Sequence, residues 1–144
     1  MNANAWMARA LALAQPRAGK TGDNPAVGCV VVREEKVVAE AATAEGGRPH
    51  AEEQALEGID AEGAVAYITL EPCAERTSGV ASCAQRLVDA KVARVVIAAR
   101  DPHPQASGRG IALLVAAGID VQVGVMEAEA KALNADFLRR WEAR

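Results

Sequence analysis

Pro49-His50-Ala51-Glu52, followed downstream by Glu71-Pro72-Cys73 and then Cys83, holds the densest chemistry in this chain. These residues offer one imidazole, two thiols and one carboxylate that need not be a ligand. That inventory suits a zinc centre with an acid/base group beside it. Three protein ligands leave a fourth position, where water can bind and be made acidic by the metal. The spacing asks for a fold that enters a helix at His50, so that the imidazole holds the ion while Glu52 reaches over its water. Cys73 and Cys83 are expected at the start of another helix, whose dipole would help lower both thiol pKa values.

Composition sets the frame for this centre. The chain has 144 residues, enough for one domain with a self-sufficient core, so residues 1–144 are read as a single unit. Half of it is hydrophobic (51%) but only 3% is aromatic, so small aliphatic side chains and closely approaching helices should build the core. A net charge of −3 and the lack of a basic stripe argue against nucleic acid as a partner and favour a small molecule. Three cysteines, no signal-peptide core and no apolar run of spanning length point to a reducing cytoplasm and away from a membrane.

Periodicity predicts the order of elements. Apolar residues at helical spacing suggest a helix from Ala5 to Gln15, closed by Pro16 and Gly19. Val27 to Val32 and Lys36 to Glu40 read as a hairpin over Arg33-Glu34-Glu35, although the turn lacks the usual Gly or Asn. A short helix is expected from Ala51 to Glu57, then a strand from Val65 to Leu70 and a helix from Ser82 to Ala90. Ala93 to Ala98 and Ile119 to Gly124 read as strands around a helix from Ser107 to Ala117, with Met126 to Trp141 as one final helix. This order implies an α/β domain of three layers, α/β/α, around a five-stranded mixed sheet.

Several residues need individual readings. The deaminase signature in its short form is His-x-Glu with a later Pro-Cys-x-x-Cys. Its first half is intact at His50 and Glu52, but the second cysteine is displaced to Cys83, with Thr77-Ser78-Gly79 giving room for a looped connection. Cys29, within a β-branched run, reads as core, and Glu53, about 100° round the helix from Glu52, as solvated or locally paired. Arg76 and Arg109 are the candidates for a substrate phosphate, since a guanidinium fork suits that group. His103 lies between two prolines at a strand end, where open α/β sheets place ligands.

Across nearly its whole length the chain resembles the deaminase domain of the riboflavin-biosynthesis deaminase/reductase family, in the cytidine-deaminase-like superfamily. The motifs that carry this are Asn24-Pro25-Ala26-Val27-Gly28-Cys29-Val30, Pro49-His50-Ala51-Glu52, Thr69-Leu70-Glu71-Pro72-Cys73, Asp101-Pro102-His103-Pro104, Gly108-Arg109-Gly110, Ala117-Gly118-Ile119 and Leu133-Asn134-Ala135-Asp136-Phe137. The resemblance implies a cytidine-deaminase-like fold and a stand-alone deaminase that removes an exocyclic amine from the diaminopyrimidine intermediate of the riboflavin pathway. It implies zinc on His50, Cys73 and Cys83, proton shuttling by Glu52, and substrate contacts at Asn24, Ala51 and Asp101. A homodimer or higher assembly is implied as well.

Three stretches depart from that pattern: the loop Ala74 to Ser82, which is more like the fungal deaminases of the pathway, Ala41-Ala42-Thr43, and His103. They touch the pocket, so deamination of another free base or nucleoside (guanine, cytosine, isocytosine, a pterin-like ring) stands as an alternative. A non-catalytic zinc-binding module is the other. Deamination within transfer RNA would need a basic surface that the sequence lacks.

Overall fold

The computed structural model describes residues 2–74, 81–104 and 106–142, and its elements follow the predicted order. Helix α1 (Ala3–Ala14) starts where Asn2 caps it, the side-chain oxygen accepting the Ala5 N–H at 3.0 Å. Trp6, Met7, Ala10 and Ala14 form its buried stripe at helical spacing. A 3-10 turn over Gln15–Arg17 then ends the helix, with Pro16 unable to continue it.

Strands β1 (Gly28–Arg33) and β2 (Lys36–Ala42) form the expected hairpin, with the turn reduced to Glu34 and Glu35. Both glutamates have positive φ, 53° and 63°. Two left-handed residues match the right-handed twist of the strands, so the geometry usually supplied by Asn-Gly is imposed here on two ordinary side chains. Arg33 pairs with Lys36, and a bulge between Val31 and Val32 shifts the register of the rest.

The remaining elements are α2 (Ala51–Leu56), β3 (Val65–Leu70), α3 (Cys83–Asp89), β4 (Arg94–Ala99), α4 (Arg109–Ala116) and β5 (Asp120–Val123). Strand order is β2-β1-β3-β4-β5; β1 runs antiparallel to β2 and β3, while β3, β4 and β5 are parallel, which is the mixed five-stranded sheet expected. The two crossovers of the parallel half place α3 and α4 together on one face, with α2 packed against α3. α1 lies against β1 and β3, and α5 (Glu127–Leu133) against β4, completing the third layer.

The final helix is a correction to the sequence reading. It breaks at Asn134 into α5 and α6 (Ala135–Glu142). Asn134 is buried, and its amide both accepts the Ala26 N–H and donates to the Ala26 carbonyl, each at 2.8 Å, holding the segment before β1. That pair of long-range bonds is invisible to helical periodicity. Among the described residues no helix is long and apolar enough to cross a membrane.

Small side chains let the layers approach closely, as the alanine-rich composition suggests. A Cβ on Gly28 would lie 1.8 Å from the Ala10 carbonyl oxygen, so α1 rests directly on the β1 backbone. Gly28→Ala is therefore expected to lower the unfolding free energy by about 2 kcal/mol or more through overpacking, measured by urea titration. An unchanged midpoint would mean that α1 is not seated this closely.

Candidate active site

The carboxyl end of β3 delivers Glu71-Pro72-Cys73 to the rim of the sheet, and α3 returns the chain to the same place. The Cys83 N–H donates to Cys73 Sγ at 3.3 Å, and the Ala84 N–H to the Cys73 carbonyl at 3.0 Å. Cys83 alone opens the helix, with Ser82 capping it through the Gln85 N–H; Cys73 stays in the loop, contrary to the expectation that both thiols sit at the helix start. His50 caps α2 from an extended conformation, and its Nδ1 lies 3.4 Å from Cys83 Sγ.

The ligand atoms of His50, Cys73 and Cys83 all lie within 4.8 Å of one another, so these three residues could hold a metal ion. Donors around tetrahedral zinc, at bond lengths near 2.0 Å to nitrogen and 2.3 Å to sulfur, sit about 3.5 Å apart. The described set is close to that spacing without rearrangement of the backbone, and an imidazole with two sulfurs is chemically suited to zinc.

The thiols also answer each other electrically. Hydrogen bonding from the Cys83 thiol, joined by His50 and the Cys83 N–H, draws the Cys73 pKa down to about 4 against the opposing effect of burial. The same bond to Cys73, together with burial, pushes Cys83 well above the ordinary thiol value. The sequence reading expected both thiols to be lowered; here the pair is split, with Cys73 drawn down and Cys83 pushed up.

Glu52 lines the cleft with His50 and Cys73, only 4% exposed. Burial raises its pKa to about 7, partly offset by the His50 imidazole, so near neutrality this carboxyl can both take and give a proton. The cleft has an empty volume of about 540 Å³, part of it open to solvent. Asn24, Asp101 and His103 also line it. The Asn24 amide donates to the Gly47 carbonyl at 3.1 Å, and the Asp101 carboxylate accepts the His103 N–H at 2.8 Å. Burial raises Asp101 to about 7 and lowers His103. The His103 ring packs against two residues of α6, stacked on Phe137 and with its centroid 4.1 Å from that of Trp141.

Other expectations fall away from the cleft. The Ala51 side chain is fully buried in the hydrophobic core and is not part of the cleft wall. Arg109 is exposed and bonds to the Pro104 carbonyl at 3.1 Å. Arg76 lies outside the described residues. Cys29 is buried core, as read, with its thiol pKa raised by desolvation.

Glu53 does more than its sequence reading allowed. Its carboxylate accepts the His50 N–H at 3.0 Å, and its other oxygen lies 3.6 Å from the Arg86 guanidinium. It therefore ties the helix carrying His50 to the helix carrying Cys83. A glutamate three residues after a helix cap is the signal for the first bond; Arg86, on another element, could not be found from spacing. Glu71 and Thr43, also in the cleft wall, were likewise not singled out as site residues.

A buried carboxylate beside an imidazole and two sulfurs, at the carboxyl ends of a three-layer mixed sheet, defines the cytidine-deaminase-like class. Residues 1–99 match the family model described as the cytidine and deoxycytidylate deaminase zinc-binding region. The chain is 48% identical over 137 residues to the riboflavin biosynthesis protein RibD of Escherichia coli, a match spanning 94% of this chain and 37% of that protein. A diaminohydroxyphosphoribosylamino-pyrimidine deaminase of Buchnera aphidicola is 37% identical, over 94% of this chain and 92% of its own length. Among solved structures, Acinetobacter baumannii RibD superposes with a TM-score of 0.90 at 42% identity, covering 96% of this chain and 40% of that one. The chain belongs to the cytidine and deoxycytidylate deaminase family, in its riboflavin-biosynthesis branch.

Cys83→Ser is expected to reduce bound zinc well below about one equivalent per chain and to lower Tm. Cys29→Ala should leave zinc content unchanged. Metal analysis of the two dialysed variants checks this, and equal zinc in both would remove Cys83 from the donor set.

Proposed function

We propose that this protein is a zinc-dependent hydrolytic deaminase, and that its substrate is the diaminohydroxyphosphoribosylaminopyrimidine of riboflavin biosynthesis. The observation that carries the reading is Glu52, a buried carboxyl in the cleft wall beside the His50, Cys73 and Cys83 donors. Support for the substrate comes from the Buchnera aphidicola deaminase of that name, matched over 92% of its length.

In this reading His50, Cys73 and Cys83 hold the zinc. When bound there, zinc supplies Lewis acidity that makes water nucleophilic near neutral pH. Glu52 accepts a proton from the attacking water as oxygen bonds to the amine-bearing ring carbon. It gives that proton to the ring nitrogen, then takes the proton of the newly attached hydroxyl and passes it to the amine, so that the ring carbonyl forms as the carbon–nitrogen bond breaks and ammonia departs. Asn24 presents its amide oxygen toward the ring, since its nitrogen is engaged by Gly47. Asp101 and His103, which also line the cleft, take the side of the sugar phosphate, with Arg76 the candidate for the phosphate itself.

The same reading makes residues 1–144 one deaminase domain that acts on a small molecule in the cytoplasm as a homodimer or higher assembly. A reducing compartment suits a site built on two unpaired thiols. The acidic balance of the chain, −3 overall, favours a small ligand over a polynucleotide.

Two measurements test this. Glu52→Gln should retain zinc while kcat falls by about a thousandfold or more, because the amide can neither take nor return a proton. Ammonia release should be fastest with the phosphoribosylated diaminopyrimidine and at least about a hundredfold slower with cytidine, guanine or isocytosine. Wild-type turnover by the glutamine variant would remove Glu52 from the chemistry, and preference for a free base would move the substrate.

A further inference from the structure

We propose that Glu71 is a positioning residue that sets the distance between the metal-donor loop and the Asp101–His103 wall of the cleft. Glu71 follows β3, is only 3% exposed, and is separated from Cys73 by Pro72 alone. One of its carboxylate oxygens accepts the N–H of Asp101 at 3.2 Å and that of Gly108 at 3.1 Å. The other accepts the N–H of Ile111, in the first turn of α4, at 3.2 Å. Among the described residues it forms no ion pair, so three backbone amides are what compensate this buried charge.

The chemistry selects a carboxylate for this task. Two oxygens with about four acceptor sites can take three donors at once, which neither a hydroxyl nor a neutral amide can match in that arrangement. Bonds from backbone N–H to a carboxylate are roughly twice as strong as neutral ones. The surrounding backbone is close as well: a Cβ on Gly110 would lie 1.9 Å from the Pro72 carbonyl oxygen and 3.4 Å from Glu71 Cγ. One side chain thus gathers the end of β3, the loop after β4 and the start of α4.

The donors come from the segment that carries the substrate wall. The Asp101 N–H is bound by Glu71, and the Asp101 carboxylate in turn accepts the His103 N–H. Moving Glu71 therefore moves two cleft residues relative to Cys73. This inference rests on the proposed reading that Asp101 and His103 face the substrate, and it adds to that reading which residue places them.

The test uses the full chain with zinc bound. Glu71→Gln keeps one carbonyl oxygen but turns an NH2 toward at least one of the three donors. KM for the phosphoribosylated diaminopyrimidine should rise about tenfold or more, with kcat changed less than about threefold and zinc content as in wild type. Asp101→Asn alone should also raise KM, and adding Glu71→Gln to it should raise KM less than about twofold further, because the two act through one wall. A wild-type KM for Glu71→Gln, or a full additional tenfold on the Asp101→Asn background, overturns the inference.

Amide hydrogen exchange separates this inference from the substrate reading. In wild type the Asp101, Gly108 and Ile111 amides should be protected, and in Glu71→Gln they should exchange about tenfold faster while Val96 and Ile97 in β4 keep their rates. If Asp101→Asn leaves KM unmoved, the substrate reading of that wall fails and the exchange result alone decides the role of Glu71. Rapid wild-type exchange at the three amides overturns that role, even if the variant does not fold.

Discussion

The parallel pairing of β3 and β4 is the constraint on which the site depends. Leu70 stands opposite Ala99 in the register, so Glu71-Pro72-Cys73 and the segment from Arg100 to His103 leave the sheet side by side. Parallel neighbours share a direction, so their carboxyl ends meet at one rim, and α3, which opens the connection from β3 to β4, starts beside it. Cys73 and Cys83 meet there, joined by the Cys83 N–H to Cys73 Sγ bond. β1 runs antiparallel to both its neighbours, so the stretch before it, Asn24 to Val27, reaches that same rim and contributes Asn24 to the cleft.

Three buried carboxyls, Glu52, Glu71 and Asp101, stand within this small region, and each is accommodated differently. Glu71 is satisfied by three backbone donors and belongs to the framework. Asp101 receives the His103 N–H, and burial holds its pKa near 7. Glu52 is raised to about 7 chiefly by desolvation, with only partial relief from His50. Burying an isolated carboxylate is costly enough that the group neutralises. Asp101 and Glu52 are thus both held near 7, and in the proposed reading it is Glu52, beside the His50 imidazole, that moves protons.

The legible part of the fold is the part governed by local chemistry. Among the described residues, hydrophobic alternation and helical spacing located every strand and every α-helix before Met126, with ends displaced by only a few residues, but not the 3-10 turns at Gln15–Arg17 and Glu45–Gly47. The hairpin was legible despite its missing glycine, because the β-branched runs on either side dominate; the tight geometry at Glu34 and Glu35 was not. The break at Asn134 stayed hidden because its cause is Ala26, more than a hundred residues away, to which it bonds twice. The Glu53 link to Arg86 was hidden for the same reason.

For the site, the residue types and their order singled out His50, Cys73, Cys83 and Glu52, which the fold brings to one cleft, because imidazole, thiolate and a nearby carboxyl have few joint uses other than metal chemistry. Ala51 was assigned by its place in a motif and Arg109 by its guanidinium; the fold buries the Ala51 side chain in the core and leaves Arg109 outside the cleft wall. Sequence by itself thus determined which functional groups are present and the order of the elements around them, though not that Cys73 stays in the loop before α3. Only the tertiary structure decided which of them share a cavity, how Glu71 joins two loops, and how deeply Glu52 is buried. Those properties depend on distances between segments remote in the chain and on the water excluded between them, and neither is encoded in any local run of residues.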